Sequence, residues 1–259
     1  MVIGKLQQES EGHASPPAAS AWAQVEAVQR QVHLPCLLVP QPAHAVLAGE
    51  LAAGLTCFGE LPAEIKRAIQ MHDTGWAASD AQQIQRLRSG GPHVAEAAPV
   101  SFIAVAPGEV EEAWTASINT VEAFSRAGAI IISRHFSLLA QNDLAHHQRF
   151  VQAEKLRQRK LEGAAKADDL DRWTAALGFC DLVSLFLLSA PGREAEFPLA
   201  HPSSPQAGTA PRVRMQSDHR NLRFTPEVVQ PGCALSIQAL RHPVPAQGPR
   251  AETLTWHVQ

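Results

Sequence analysis

The stretch LPAEIKRAIQMHDTGW, residues 61–76, joins a helical pattern of apolar residues to a histidine–aspartate pair. Apolar residues lie seven, four and three positions before His72, so an α-helix places them on the same face as this histidine. An amphipathic helix turns such a face toward the core. The pattern therefore predicts a helix that carries the imidazole of His72 inward, with Asp73 in the turn that follows it.

Three other polar side chains share this situation on separate apolar stretches. They are His44 in PAHAVLAGELAAGL, His135 in AIIISRHFSLLA and Asp181 in DRWTAALGFCDLVSLFLLS. No Lys or Arg lies within a helical turn of Asp181. Burying a carboxylate there without a partner is costly, on the order of several kcal/mol, so Asp181 needs a cation, strong hydrogen-bond donors or a proton.

A shared cation explains these inward-facing groups together. A single histidine on an apolar face is most often an ordinary core residue whose hydrogen bonds are satisfied. Three histidines and two aspartates in one helical body are better explained if they converge on one metal ion. Imidazole nitrogens and carboxylate oxygens suit Mn, Fe, Co, Ni or Zn. The four cysteines form no CxxC pair, which argues against a structural zinc site.

The composition narrows the class of protein and its partners. The chain has 259 residues, of which 45% are hydrophobic, and this is enough for one substantial core. The net charge of -3 leaves no basic excess for binding nucleic acid or an anionic membrane. The sequence contains neither a run of eighteen apolar residues nor the apolar part of a secretory signal. We therefore expect a cytoplasmic protein whose scattered cysteines are reduced.

The order of these patterns indicates three segments. Residues 1–30 are expected to form a disordered leader, residues 31–195 a helical domain, and residues 196–259 a loop and a β-rich tail packed on the same domain. PCLLVP at 35–40 is expected to be a short strand or an extended entry, and residues 77–108 a long loop that has room for one short element. The predicted fold class is therefore mainly α, with a small β-rich C-terminal segment.

The order of a histidine, a histidine–aspartate pair and a distant aspartate resembles the HD-domain superfamily of metal-dependent phosphohydrolases. Four blocks carry a closer resemblance to a bacterial family of unknown function: QPAHAVLAGELA, MHDTGWAASD, SRHFSLLA and CDLVSLFLL. This resemblance covers roughly residues 33–259. It implies an HD-domain-like helical bundle with one divalent ion, held by His44, His72, Asp73 and Asp181.

The resemblance also implies an activity. In such sites the metal ion lowers the pKa of a bound water and polarises a phosphoryl oxygen, so the expected reaction is hydrolysis of a phosphomonoester or a nucleotide-like small molecule. Asp73 and His135 are the candidate catalytic residues, and His135 would contact the phosphate as imidazolium or hold a second ion as neutral imidazole. Asp80 is a further candidate for a second ion or for the substrate. Arg134 points about 100° away from His135 on a helix, so we do not expect it to clamp the phosphate.

Two alternatives from other functional classes stay open. HD-fold proteins that resemble inositol oxygenase hold two irons and use additional histidines, for which this chain offers His135, His93, His146 and His147. The last three lie in loop or polar stretches, where a solvent-facing side chain is the simpler interpretation. The second alternative is a non-catalytic protein that binds a metal ion or a small molecule. The β-rich tail could wall a pocket or support a homodimer.

Overall fold

The computed structural model describes residues 1–6, 20–89, 98–218, 220–243 and 251–259. Of these residues, 56% are helical and 19% lie in strands. The α-helices of this part of the chain are α1 (Ala21–Arg30), α2 (Gln41–Gly54), α3 (Ala63–Gln70), α4 (Ala77–Ser89), α5 (Pro107–Glu122), α6 (Arg126–Ala140), α7 (Leu144–Lys160) and α8 (Ala167–Ser189). Its strands are β1 (Val2–Lys5), β2 (Cys36–Val39), β3 (Glu194–Pro198), β4 (Arg212–Ser217), β5 (Asn221–Thr225), β6 (Ala234–His242) and β7 (Ala251–Val258).

The strands of the described residues form one mixed, curled sheet in the order β1-β2-β6-β7-β5-β4-β3. Neighbouring strands are antiparallel except β5 and β7, which are parallel. The expectation of a mainly α, HD-domain-like bundle with a small β-rich C-terminal segment is therefore wrong. Strands from both ends of the chain build this sheet, and short strands far apart in sequence do not reveal from their own patterns that they pair.

The N-terminal segment supplies a strand and a helix. β1 pairs with β2, which in turn pairs with β6, and Val2 and Ile3 of β1 are buried. α1 begins after Ser20, whose side chain caps it. The disordered leader expected for residues 1–30 is thus not what the described part of this segment shows, and residues 7–19 lie outside the described residues. A four-residue strand is too short to show a clear alternation of apolar and polar positions.

The remaining elements follow the sequence where apolar periodicity is strong. Helices are present on all four stretches that carry the inward-facing polar residues, and the strand predicted at 35–40 is confirmed as β2. The loop expected at 77–108 instead contains α4 and a 3₁₀ turn at Phe102–Ala104, while residues 90–97 lie outside the described residues. α4 is largely polar, so few positions mark the face that it turns to the core.

α8 is the central helix of the core. It packs against α1, α2, α3 and α6, and it also contacts β1 and β3. In the part of the chain that the structure describes, α8 alone is long and apolar enough to cross a membrane by length and composition. Inside this protein, however, 89% of its apolar window is buried. α8 is therefore placed as a core helix, and it brings Asp181 close to α2, α3 and α6.

Candidate metal centre

Four polar side chains from two helices and a turn meet in the interior. His44 comes from α2, His72 and Asp73 from the turn after α3, and Asp181 from α8. The Nε2 atoms of His44 and His72 lie 3.3 and 3.4 Å from Asp181 Oδ1, and 3.2 and 3.5 Å from Asp73 Oδ2. Ligand atoms of His44, His72 and Asp181 all lie within 4.8 Å of one another. This group could therefore hold a metal ion.

The turn after α3 holds the histidine–aspartate pair in place. α3 ends at Gln70, and a single 3₁₀ turn follows at Thr74–Trp76. The Thr74 hydroxyl donates a hydrogen bond to the Met71 carbonyl oxygen at 3.0 Å. A Cβ at Gly75 would collide with the backbone of α5, so the close approach of that helix requires a glycine here. The HDTGW motif thus describes a turn that is clamped between α3 and α5.

Neighbouring oxygen atoms orient both imidazoles in the same way. His72 Nδ1 lies 2.8 Å from the Ile69 carbonyl oxygen, which can only accept, so this nitrogen carries a proton. His44 Nδ1 lies 2.8 Å from the Ser184 hydroxyl, and that hydroxyl donates its proton to the Asp181 carbonyl oxygen at 2.8 Å. His44 Nδ1 must therefore donate as well. In the neutral form of both rings, the lone pair sits on Nε2, the nitrogen that faces the carboxylates.

The two carboxylates make this position favourable for positive charge. Burial lowers the pKa of His44, but hydrogen bonds and charges from Asp181 and Asp73 outweigh burial and raise this pKa to about 9. Burial also lowers the pKa of His72, and the same two aspartates again raise it above its ordinary value. Burial raises the pKa of Asp181, whereas the neighbouring imidazoles of His44 and His72 hold it well below its ordinary value. A metal ion bound here would replace the protons on the two Nε2 atoms.

A third buried imidazole borders this cluster from α6. The ring centroids of His135 and His72 are 5.7 Å apart, and His135 Nε2 lies 3.7 Å from Asp181 Oδ2. Burial lowers the pKa of His135 well below its ordinary value, although the charge of Asp181 opposes this shift. Burial thus favours the neutral form of the His135 ring. The two roles predicted for His135, contact with a phosphate and binding of a second ion, stay predictions.

His201 is a site residue that the sequence analysis did not identify. It follows β3 in a stretch expected to be a loop, its side chain is buried, and its Nε2 lies 2.8 Å from His135 Nδ1. Burial lowers the pKa of His201 to about 4. A Cβ at Gly178 of α8 would lie 2.6 Å from His201 Cδ2, so this glycine makes room for the ring. A glycine inside an apolar helix was the available signal of a close contact.

The structure does not bring Asp80 into the cluster. Its Oδ1 lies 2.9 Å from the amino nitrogen of Met1, and its Oδ2 accepts a hydrogen bond from the Gln41 N–H at 2.6 Å. These contacts tie α4 to β1 and to the start of α2. Both carboxylate oxygens of Asp80 thus have partners outside the cluster, and a role in binding a second ion or the substrate stays a prediction. A single carboxylate in the sequence does not reveal which distant donor it will meet.

The additional histidines considered for a di-iron site also lie elsewhere or outside the described residues. His146 is exposed and pairs with Asp143 at 2.8 Å. His147 pairs with Glu111 at 2.9 Å. His93 lies outside the described residues. The two described histidines therefore have carboxylate partners of their own on the helices around α7.

A cavity of about 650 Å³ has His201 in its wall, whereas the clustered histidines and aspartates do not line it. Three basic side chains also line it, Arg134, Lys155 and Arg172. Arg134 and Arg172 each pair with an aspartate at 2.7 Å, whereas Lys155 forms no ion pair with any described residue. Arg134 thus lines this cavity and not the cluster itself, in agreement with its direction on the helix. The wall can attract an anionic group.

The chain belongs to the family described as Protein of unknown function (DUF3891), whose sequence profile matches residues 28–237. The resemblance to a family of unknown function is thereby confirmed. No curated protein and no solved structure matches the chain. The likeness to HD-domain phosphohydrolases therefore stays a hypothesis that depends on the order and geometry of the site residues.

Proposed function

We propose that this member of the DUF3891 family is a metal-dependent hydrolase that cleaves a phosphomonoester or a nucleotide-like small molecule by means of a metal-activated water. The observation that carries the proposal is the convergence of His44, His72 and Asp181, with Asp73 beside them. His72 Nε2 is buried and has no hydrogen-bond partner among the described residues. A buried polar atom without a partner is costly, and a bound cation would remove that cost.

The donor set fits a catalytic metal ion better than a closed structural site. Two imidazole nitrogens and one or two carboxylate oxygens leave coordination positions for water and substrate. These donors suit Mn, Fe, Co, Ni or Zn. When bound, the ion would lower the pKa of a water molecule and polarise a phosphoryl oxygen. The order of these residues along the chain resembles that of HD-type phosphohydrolases, even though the fold is not the helical bundle expected from that likeness.

The residues around the proposed ion have different exposure, which suggests the direction of substrate approach. The side chains of His44 and His72 are 1% exposed, whereas that of Asp181 is 13% exposed. Substrate would therefore approach along the edge of Asp181. Asp73 would act with Asp181 to hold the ion and orient its water. His135 borders the same edge and would contact the phosphate through its Nε2, 3.7 Å from Asp181 Oδ2.

The cavity beside His201 supports an anionic small-molecule substrate. Its volume of about 650 Å³ lies within the range of small-ligand sites. Both arginines of the wall are paired with aspartates, and one of these, Asp171, also lines the cavity, so Lys155 is the basic side chain of the described lining that could attract an ester of phosphoric acid. The whole chain carries a net charge of -3, so no overall basic excess favours a polynucleotide as the substrate. We propose a cytoplasmic metabolite as the substrate.

The di-iron oxygenase alternative has less support from the described residues. It requires further ligands, and His146 and His147 are paired with carboxylates away from the cluster. His135 is close enough to be considered, but its hydrogen bond to His201 affects which of its nitrogens can bind an ion. A non-catalytic metal-binding protein would need the same cluster without hydrolysis, and the experiment below separates that case.

The test measures bound metal and hydrolysis in the same preparations. Protein stripped with a chelator is reloaded separately with Mn²⁺, Fe²⁺, Co²⁺, Ni²⁺ or Zn²⁺, and phosphate release is followed with a panel of phosphomonoesters and nucleotides. We expect one ion per chain and phosphate release that depends on the ion. Asp181→Asn should lose both, whereas Asp143→Asn, a matched change at an exposed carboxylate, should lose neither.

Two outcomes would contradict the proposal. Two irons per chain, with a mixed-valent electron paramagnetic resonance signal after partial oxidation, would favour the oxygenase. One tightly bound ion per chain without hydrolysis of any phosphoester in the panel would favour a non-catalytic metal-binding protein.

A further inference from the structure

His135 and His201 form a hydrogen-bonded pair whose proton positions follow from one backbone group. The N–H of Ser203 donates a hydrogen bond to His201 Nδ1 at 3.2 Å. A backbone N–H can only donate, so His201 Nδ1 carries the lone pair, and the proton of the neutral ring sits on Nε2. That proton points to His135 Nδ1, 2.8 Å away. His135 Nδ1 is therefore the acceptor, and the proton of the neutral His135 ring sits on its Nε2.

This arrangement is the reverse of that in the metal-ion cluster. In His44 and His72, oxygen acceptors hold the proton on Nδ1, and the Nε2 lone pair faces the carboxylates. In His135, a nitrogen donor occupies Nδ1, and an N–H faces Asp181 Oδ2 at 3.7 Å. A ring nitrogen that carries a proton cannot bind a metal ion, but it can donate a hydrogen bond.

We propose that His201 is a positioning residue that keeps the neutral His135 ring protonated on Nε2, so that His135 donates a hydrogen bond to an anionic substrate oxygen and does not bind metal. The role of this hydrogen bond in turnover rests on the proposed hydrolase function, whereas the proton position does not. The proposal separates the two roles considered for His135. It assigns that residue to the substrate and leaves the ion to His44, His72 and the aspartates.

The absence of a side chain at Gly178 makes room for the His201 ring beside α8. Gly178 of α8 lies against the ring, and any Cβ there would sit 2.6 Å from Cδ2. Gly178 lies three positions before Asp181, so the same helix face holds both the ring of His201 and a proposed metal ligand. His201 also lines the cavity with the basic side chains. A ligand in that cavity could therefore contact His201, the residue that orients His135.

The proton positions can be measured without any substrate. Protein labelled with ¹⁵N-histidine and loaded with Zn²⁺, a diamagnetic probe, gives two-bond ¹H–¹⁵N correlation spectra in which each tautomer has a distinct pattern. We expect His44 and His72 to carry the proton on Nδ1 and His135 and His201 to carry it on Nε2. A His135 signal with an unprotonated or zinc-bound Nε2 would overturn the proposal.

Two substitutions at His201 test the functional part. His201→Leu removes the donor to His135 Nδ1, whereas His201→Gln keeps an N–H that can reach it. In the Zn²⁺-loaded protein we expect His201→Leu to weaken binding of inorganic phosphate about 10-fold, because His135 is no longer held in the tautomer whose Nε2–H donates to the phosphate. We expect His201→Gln to stay within about 3-fold of the parent. Zinc content should be unchanged in both. His146→Leu, at an exposed histidine, is the matched control.

The two variants also keep the proposal separate from the hydrolase assignment. If hydrolysis is found, His201→Leu should lower kcat by about 10- to 100-fold with little change in KM, and His201→Gln should restore most of it. If no phosphoester is hydrolysed, the spectra and the phosphate affinities still decide the proposal. Equal phosphate affinity in the parent and in a folded His201→Leu protein, or loss of zinc from that variant, would contradict it.

Discussion

Two pairs of buried histidines lie next to each other in this protein. They differ in their hydrogen-bond partners and in the direction in which their pKa values are shifted. The first pair, His44 and His72, faces Asp73 and Asp181 and is called here the carboxylate side. The second pair, His135 and His201, is called the imidazole side, and its ring centroids are 4.9 Å apart. Burial alone lowers the pKa in every case, but on the carboxylate side the aspartates reverse that effect.

The comparison shows that the atom bonded to Nδ1 determines what each ring can do at Nε2. The carbonyl oxygen of Ile69 and the hydroxyl of Ser184 leave a lone pair on Nε2 of the carboxylate side. The N–H of Ser203 acts through His201 and leaves a proton on Nε2 of His135. One side is therefore suited to bind a cation and the other to donate to an anion, and a metal-activated attack on a phosphate ester needs both.

The largest expected effect comes from breaking the carboxylate side at Asp181. Asp181→Asn removes the charge that faces both Nε2 atoms at 3.3 and 3.4 Å. We expect metal affinity to fall by more than about 100-fold, beyond the range typical of changes outside the ligand set. Asp143→Asn should leave the affinity unchanged, because that carboxylate is exposed. Competition with a chelator of known affinity measures the ratio, and equal metal retention in the two variants would remove Asp181 from the site.

The second effect is a dependence of stability on pH in the metal-free protein. The folded pKa of His44 is about 9, above its ordinary value of 6.5. Protonated His44 therefore stabilises the fold fully below pH 6.5, and this contribution is lost as the pH rises through about 9. The shift corresponds to a loss of roughly 3 kcal/mol in the free energy of unfolding. Urea denaturation in the presence of a chelator at pH 6.5 to 9.5 measures it.

The imidazole side predicts the opposite slope at acid pH, which makes the pH experiment a direct comparison. The folded pKa of His201 is about 4, below its ordinary value of 6.5, so stability is lost as the pH falls from 6.5 toward 4. His44→Gln should reduce the alkaline change, to which the raised pKa of His72 also contributes. His201→Gln should reduce the acid change, to which the lowered pKa values of His135 and Asp181 also contribute. If His44→Gln does not reduce the alkaline change, or His201→Gln does not reduce the acid change, the two sides do not have the separate charge states described above.

The third effect sharpens the comparison by disturbing the imidazole side alone. Gly178→Ala places a Cβ 2.6 Å from His201 Cδ2 and 2.8 Å from Pro202 Cδ, and we expect it to lower the free energy of unfolding by about 1–3 kcal/mol. Gly108→Ala is the matched control, because no atom lies within 4 Å of its Cβ, and it should be neutral or stabilising by about 0.4–1 kcal/mol. Urea denaturation of both zinc-loaded variants checks the signs, and equal signs would contradict the packing described for His201.

The carboxylate side could be predicted from the sequence because its residues lie on strongly periodic helices. His44 and Asp181 occupy apolar faces of helices, and His72 continues the apolar face of α3 into the turn that follows it, so each of these polar groups demands an explanation. Three helices with apolar faces must pack on one another, so convergence followed from the pattern. Asp73 followed because it is adjacent to His72.

The imidazole side and the pairing of strands from both ends of the chain could not be predicted, because these contacts join segments far apart in the sequence. His201 lies 66 residues from His135 in a stretch rich in Pro and Ser, where only the tertiary structure shows that the ring turns inward. β1 has four residues and finds its partner at Cys36–Val39. The partners of Asp80 are a terminal amine and a backbone N–H, neither of which has a signature in the sequence.

The smallest expected effect is the loss of phosphate affinity when a positive charge is removed from the cavity wall beside His201. Lys155 lines the cavity with His201 and forms no ion pair with any described residue, so Lys155→Met removes one positive charge without freeing an aspartate. An exposed charge contributes up to about 1 kcal/mol, so phosphate affinity of the zinc-loaded protein should fall about 2- to 5-fold. Lys160→Met, at an exposed lysine that does not line the cavity, should have no effect.

Because exposed charges are screened by salt, the difference between these variants should shrink as ionic strength rises. Isothermal titration at low and high salt measures it, and a difference that persists unchanged at high salt would show that Lys155 acts through packing and not through its charge.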